Sequence, residues 1–310
     1  VPHHAAPSPC TLPPDTLAQA VIVRGFATRH AHWIPLRGGR SNRLWHVTNP
    51  VAPAARNCPS GWVVKLFAPQ QNNPLFANDA HRETQLLTHL DGQGIAPRLQ
   101  AYLSPPAGEA IIYEHLDGAI WQGNPAPVAA LLHRLHGLPA PERLALPHAA
   151  DGSVELLRQI RTILEACPEQ IQNTLTPKVR TLAARRDIPA SGAVRLLHGD
   201  PVAGNLIDTS NGLRLIDWQC PALGDPCEDI AHFLSPAQQL VYRGSPLTRG
   251  ETEEFLIAYS DRKTTARYTR LAPWYHARMA AYCGWKMAQG AQDYGPAFTL
   301  EYVALKAALT

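Results

Sequence analysis

Charge is scarce in this chain: only 17% of its 310 residues are Asp, Glu, Lys or Arg, and the balance leaves a formal net charge of +3. The Lys and Arg residues are scattered and no basic run forms, so a nucleic-acid footprint is not expected. No apolar run approaches the roughly 20 residues that a spanning helix needs. The first stretch, "VPHHAAPSPCTLPPD", has neither a basic start nor an apolar h-region. A membrane role is therefore not expected, and the protein is expected to be cytoplasmic. The six cysteines (Cys10, Cys58, Cys167, Cys220, Cys227 and Cys283) contain no C-x-x-C pair, which argues against a zinc site or a disulfide framework and for reduced thiols. Repeats, low-complexity tracts and long linkers are also missing. What remains is a 45% hydrophobic chain of ordinary globular composition, long enough for one large domain or two closely packed ones.

The apolar periodicity changes along the chain. "PDTLAQAVIVRGF" has helical spacing, "HWIPLRGGRSNRLWHVT" reads as strand, Gly-rich turn and strand, and "GWVVKLFA" is a further strand with one lysine inside it. Residues 78 to 90, "NDAHRETQLLTHL", read as an amphipathic helix, and "GIAPRLQAYLS" and "GEAIIYEHLDG" as two strands joined by a Pro-Gly turn. Beyond Asp117 the pattern is mostly helical, interrupted by short β-like runs only between residues 193 and 217.

Those interrupting runs carry the chemistry. "HGDPVAGNLI", followed by "LRLIDW", places Asp200, Asn205 and Asp217 so that a hairpin would bring three oxygen-bearing side chains to one mouth. Such oxygens suit Mg²⁺, which takes one or two protein ligands and completes its shell with water and phosphate. In kinase-type phosphoryl transfer an Asp orients the acceptor hydroxyl, while an Asn and a second Asp hold the metal on the nucleotide. The competing reading is that these residues are turn formers between short strands.

The wider segment "HGDPVAGN…IDWQCPALGDPCEDIA" resembles the signature of the aminoglycoside phosphotransferase and choline kinase superfamily, relatives of the protein kinases. Further features follow in the expected order from about Leu36 to Phe233: "LRGGRSN" as the nucleotide-facing turn, Lys65 in "WVVKLF", Glu83 in "HRETQLLTHL", and "IIYEHLDG" between lobes. The resemblance implies an α+β, bilobal, protein-kinase-like fold. Residues 1–116 would form a small antiparallel-sheet N-lobe with one key helix, which binds nucleotide. Residues 117–310 would form a larger, mainly helical C-lobe with the catalytic loop, metal site and acceptor pocket. ATP and Mg²⁺ are the implied cofactors, and a small-molecule alcohol is the implied acceptor.

The resemblance also implies roles. Asp200 would be the catalytic carboxylate, with Asn205 and Asp217 on the metal. Lys65 would contact the α- and β-phosphates, held by Glu83, unless it is a surface lysine on an edge strand. Gly38 and Gly39 would let the backbone approach phosphate, with Ser41 or Asn42 adding a donor. Backbone groups near Glu114 and Leu116 would read the adenine edge. His198 would organise the catalytic loop, and Asp225 and Asp229 would brace it or cap the following helix. The chain has no Walker G-x-x-x-x-G-K-[ST] motif, no protein-kinase G-x-G-x-x-G, and no Asp-Phe-Gly or Ala-Pro-Glu segment. A nucleotide-binding pseudokinase is disfavoured because Lys65, Asp200, Asn205 and Asp217 are all present.

For the acceptor, the segment from Arg270 to Tyr302 is rich in rings and contains only two acids, Asp293 and Glu301. Aromatic faces attract quaternary ammonium groups. Trp218, Trp274, Tyr275, Tyr282 and Trp285 are therefore candidates to hold a choline-, ethanolamine- or thiamine-like alcohol. A sugar or amino-sugar acceptor is the alternative. One departure bears on this: bacterial choline-kinase-like proteins often read Asp-Trp-Glu-Tyr where this chain has Asp217, Trp218, Gln219 and Cys220, which implies a different small alcohol.

Overall fold

The computed structural model describes residues 12–36, 42–48, 61–69, 72–141 and 143–310. By compactness the chain divides into two interleaved units, one of Val1–Asn73, Ala77–Ala119 and Ile207–Cys220, the other of Pro74–Phe76, Ile120–Leu206 and Pro221–Thr310.

The first unit begins with helix α1 (Asp15–Val23), then strands β1 (His32–Pro35), β2 (Arg43–Thr48) and β3 (Trp62–Leu66), helix α2 (Ala80–His89), and strands β4 (Leu99–Leu103) and β5 (Ala110–Glu114). Its sheet is antiparallel throughout, in the order β1-β2-β3-β5-β4. Strand alternation sorts β3 between two faces. Trp62, Val64 and Leu66 join Leu17 and Val21 of α1, Trp45 and Ile112 in one apolar core. Lys65, opposite Ile111 in register, points to the other face, the face on which α2 lies. Asp79 starts α2 by accepting the Arg82 N–H at 2.9 Å, so the helix begins two residues later than its apolar spacing suggests.

A second, three-stranded sheet, ordered β6-β8-β9, combines β6 (Gly118–Ile120), β8 (Leu206–Thr209) and β9 (Gly212–Leu215). Close crossing explains one glycine here: a Cβ on Gly118 would come within 2.3 Å of the Asp208 carbonyl oxygen.

The second unit is mainly helical: α3 (Ala126–His136), α4 (Ser153–Glu165), α5 (Glu169–Ala183), α6 (Cys227–Leu234), α7 (Pro236–Arg243), α8 (Arg249–Ala258), α9 (Arg262–Ala288) and α10 (Tyr294–Leu309). Its only described sheet pairs β7 (Arg195–Leu197) with β10 (Ala222–Gly224). The long α9 packs against α4, α5, α6 and α10. Strands β6 and β10 escape the sequence pattern because three residues are too few to establish a period of two. Cys167, Cys220, Cys227 and Cys283 are buried free thiols, while Cys10 and Cys58 lie outside the described residues.

Candidate functional site

In the first unit the central position of β3 decides the fate of its lysine. Lys65 is 1% exposed on a strand with partners on both sides, so it is neither an edge nor a surface residue. Its ammonium donates to Glu83 Oε2 at 2.6 Å and to Asp217 Oδ1 at 2.5 Å. Burial alone would lower the Lys65 pKa, but the Asp217 and Glu83 carboxylates more than offset it and raise the pKa above its ordinary value, so the cation is secure. Burial pushes Glu83 up to about 7 against the pull of Lys65, and Glu83 also receives a hydrogen bond from the Trp218 backbone.

Asp217 itself is partly exposed and sits at φ 65°, a left-handed conformation that Asp tolerates better than most residues. The turn sends Trp218 inward. Its ring has no exposed surface and its Nε1–H donates to the Leu215 carbonyl at 2.9 Å, so Trp218 packs the turn that presents Asp217 and has no face for an acceptor.

Other nucleotide-facing candidates fare differently. Gly38, Gly39 and Ser41 lie outside the described residues. Asn42 does not offer a spare donor. Its two N–H bonds go to Asn78 Oδ1 at 2.9 Å and Gln219 Oε1 at 2.6 Å, while its Oδ1 accepts from the Ala68 N–H and from Asn78 Nδ2, both at 3.0 Å. That is the full capacity of an Asn side chain. The Glu114 carboxylate accepts from the Arg98 backbone N–H at 3.0 Å and from its guanidinium at 3.4 Å. Leu116 is half-buried in the irregular chain between β5 and β6.

In the second unit β7 runs into the segment that carries Asp200, and a buried polar network fixes that segment. Asp229, in the first turn of α6 and fully buried, accepts the backbone N–H of His198 on Oδ2 at 2.8 Å and of Gly199 on Oδ1 at 2.9 Å. Oδ2 also lies 3.0 Å from His136 Nε2, whose other ring nitrogen is 2.7 Å from the Tyr259 hydroxyl. Burial raises the Tyr259 pKa, so the hydroxyl keeps its proton beside the His136 ring. Burial works against the Asp229 carboxylate, yet the His136 hydrogen bond and the other donors hold its pKa below the ordinary value. His198 Nδ1 accepts the Asp200 N–H at 3.2 Å. Asn205 Nδ2 donates to the Asp200 carbonyl at 2.9 Å and approaches Oδ2 at 3.4 Å. Asp225 caps α6 through the Cys227 N–H at 3.0 Å and pairs with Arg267 at 2.6 Å.

A prediction follows from Asp229. An Asn there supplies one acceptor oxygen where two are used and turns an N–H₂ toward donors, so Asp229→Asn is expected to cost roughly 3 kcal/mol at pH 7. The folded pKa is lowered, so this stabilisation is present above the unfolded value of about 4 and is lost as pH falls through the folded one. Urea melts of both proteins should therefore begin to converge as pH falls below about 4 and meet only below the lowered folded pKa. A constant gap across that range would overturn the assignment.

The remaining ring candidates are not gathered into a cage. Tyr275 is buried with the Arg278 guanidinium 5.1 Å from its ring centre. Trp274, buried, lies on a groove of about 850 Å³ beside Arg185, Arg186 and Arg270, surroundings that disfavour a cation. Tyr282 and Trp285 do come together, stacked at 5.7 Å, but Tyr282 is 3% exposed in a core cluster and Trp285 has Lys286 5.8 Å from its ring. Helical spacing cannot distinguish core rings from lining rings, which is why the sequence reading grouped them. What that reading missed is polar: Asn78, Gln219, His136 and Tyr259, whose signal is partnership across long sequence separations rather than any local motif.

The family model for phosphotransferase enzymes matches residues 32–274, well over half of the chain. The chain belongs to the phosphotransferase enzyme family. It is a phosphotransferase that uses an alcohol group as acceptor, with the α+β, protein-kinase-like fold of that family. No curated protein matches the sequence. Among solved structures it is similar to choline kinase from Cryptosporidium parvum Iowa II, at 16% identity and a TM-score of 0.64, with 95% of this chain and 96% of that one covered. Choline kinase LicA from Streptococcus pneumoniae matches at 19% identity and a TM-score of 0.60, covering 94% and 97%. A putative aminoglycoside phosphotransferase from Ralstonia eutropha jmp134 matches at 14% identity and a TM-score of 0.61, covering 95% and 98%. At these identities the likeness is one of fold.

The donor chemistry fits a nucleotide–Mg²⁺ complex. Asp217 and Asn205 offer a carboxylate and an amide oxygen, the hard donors that Mg²⁺ prefers. Among the described residues no group of three or more His, Cys, Asp or Glu side chains is built to hold a metal ion.

Proposed function

We propose that the protein transfers the γ-phosphoryl group of ATP, bound with Mg²⁺, to the hydroxyl of a small-molecule alcohol. The observation that carries this reading is the buried Lys65, kept cationic between Glu83 and Asp217. A buried ammonium with two carboxylates is poorly explained as a packing element, because apolar residues would fill the space at less desolvation cost. It suits a phosphate partner. In this reading Lys65 binds the α- and β-phosphates, Asp217 and Asn205 hold the metal, and Asp200 orients the acceptor hydroxyl and accepts its proton. When bound, Mg²⁺ neutralises charge on the β- and γ-phosphates.

The acceptor class favoured is a small cationic alcohol of the choline, ethanolamine or thiamine type, a choice supported by fold neighbours named choline kinase. A sugar or amino-sugar acceptor is the second reading. Arg278 and Lys286, already placed on ring faces, favour it because a cationic ligand would meet like charge there. An ATP-consumption screen over choline, ethanolamine, thiamine, homoserine, amino sugars and aminoglycosides, with product mass checked, tests both. A monophosphate ester of a cationic alcohol supports the first reading. Esters of sugars alone transfer the case to the second, and ATP binding without any ester points to a pseudokinase.

A further inference from the structure

Four segments of the first unit meet at one amide cluster. Asn42 stands immediately before β2. Ala68 is two residues past the end of β3, the strand of Lys65. Asn78 directly precedes Asp79, the N-cap of α2, the helix of Glu83. Gln219 is two residues after Asp217 and only 5% exposed. Besides the four bonds that saturate Asn42, Asn78 Nδ2 donates to the Ala68 carbonyl at 3.1 Å. Three of these segments thus carry Lys65, Glu83 and Asp217, and the cluster sets their mutual placement.

We propose that Asn78 and Gln219 are positioning residues for nucleotide binding, acting through Asn42 to hold Lys65 and Asp217 in register. This rests on the ATP-dependent reading above. Gln219 has the critical part, because its Oε1 takes the Asn42 N–H at 2.6 Å from the chain that presents Asp217. Without that acceptor the Asn42 donor has no partner, and the link between the start of β2 and the chain of Asp217 is lost while the Lys65–Glu83 pair stays intact.

The test is calorimetric binding of MgATP and of metal-free ATP to the full chain, with melting temperature alongside. Gln219→Leu keeps the side-chain volume and removes the acceptor. It is expected to weaken MgATP binding by about tenfold, within the 10- to 100-fold range known for residues that orient a metal's ligands, and to affect metal-free ATP less. Gln219→Glu keeps an acceptor oxygen and is expected to remain within about threefold of wild type, a rescue that a purely volumetric role would not give. Asn78→Ala, which leaves Gln219 and its bond to Asn42 in place, covers the case in which Gln219→Leu fails to fold, and is expected to weaken MgATP in the same direction. The inference is overturned if both the Leu and Ala variants bind MgATP as wild type does, or if they lose stability while their affinity stays unchanged. Failure of wild type to bind ATP at all would instead sink the ATP-dependent reading.

Discussion

Asp200→Asn is expected to lower kcat by about a thousandfold while leaving KM for ATP within about threefold, the scale of a lost general base. The substitution is isosteric, and the loop around it is held by groups that do not need the carboxylate. The Asp200 N–H is taken by His198 Nδ1, its carbonyl by Asn205, and the preceding two N–H groups by Asp229. What changes is the ability to accept a proton from the acceptor hydroxyl as the new O–P bond forms. The nucleotide should be held as before, because its proposed contacts lie with Lys65 and the metal. Steady-state kinetics on the acceptor found in the screen give the answer, and near-native turnover would remove Asp200 from its role. A parallel rise in KM for ATP would show that the loop had moved.

The legibility of this protein from its sequence differs between its parts. The order of elements up to β5 followed from periodicity, because each strand there spans at least four residues and each helix shows a continuous apolar stripe. Lys65, Glu83 and Asp217 were assigned from motif order, and the structure brings those three together within hydrogen-bonding distance of one ammonium. The rings were less readable. Trp218 follows Asp217, and only the backbone turn at φ 65° decides that its indole folds back onto Leu215. Asn42 looked like a phosphate donor because it follows two glycines. Its commitment to Gln219, 177 residues later, is a tertiary fact with no local trace. The same holds for His136 and Tyr259, which lie 123 residues apart. Local patterns report which face of an element is apolar, whereas the partner of a buried polar group is chosen by topology.

For Asp217 the choice of substitution matters as much as the expected loss. Alanine would leave a β-carbon at φ 65° without the polar group that makes this conformation tolerable, adding about 1 kcal/mol of backbone strain to the loss of charge. Asparagine keeps shape and left-handed tolerance, so Asp217→Asn isolates the charge. Its expected result is a loss of kcat by about a hundredfold or more, together with a rise of about tenfold or more in the Mg²⁺ concentration for half-maximal activity. Lys65 keeps Glu83 as a partner at 2.6 Å but loses the larger of the two charges that offset its burial, so the melting temperature should fall as well. Asn205→Ala should move the Mg²⁺ requirement in the same direction but less, because it removes a neutral ligand; it also frees the Asp200 carbonyl, so some of its kcat loss will persist at saturating metal. Activity titrated with Mg²⁺ at fixed ATP separates the two contributions. If Asp217→Asn keeps the wild-type Mg²⁺ requirement, the carboxylate does not hold the metal, and its role contracts to steadying Lys65.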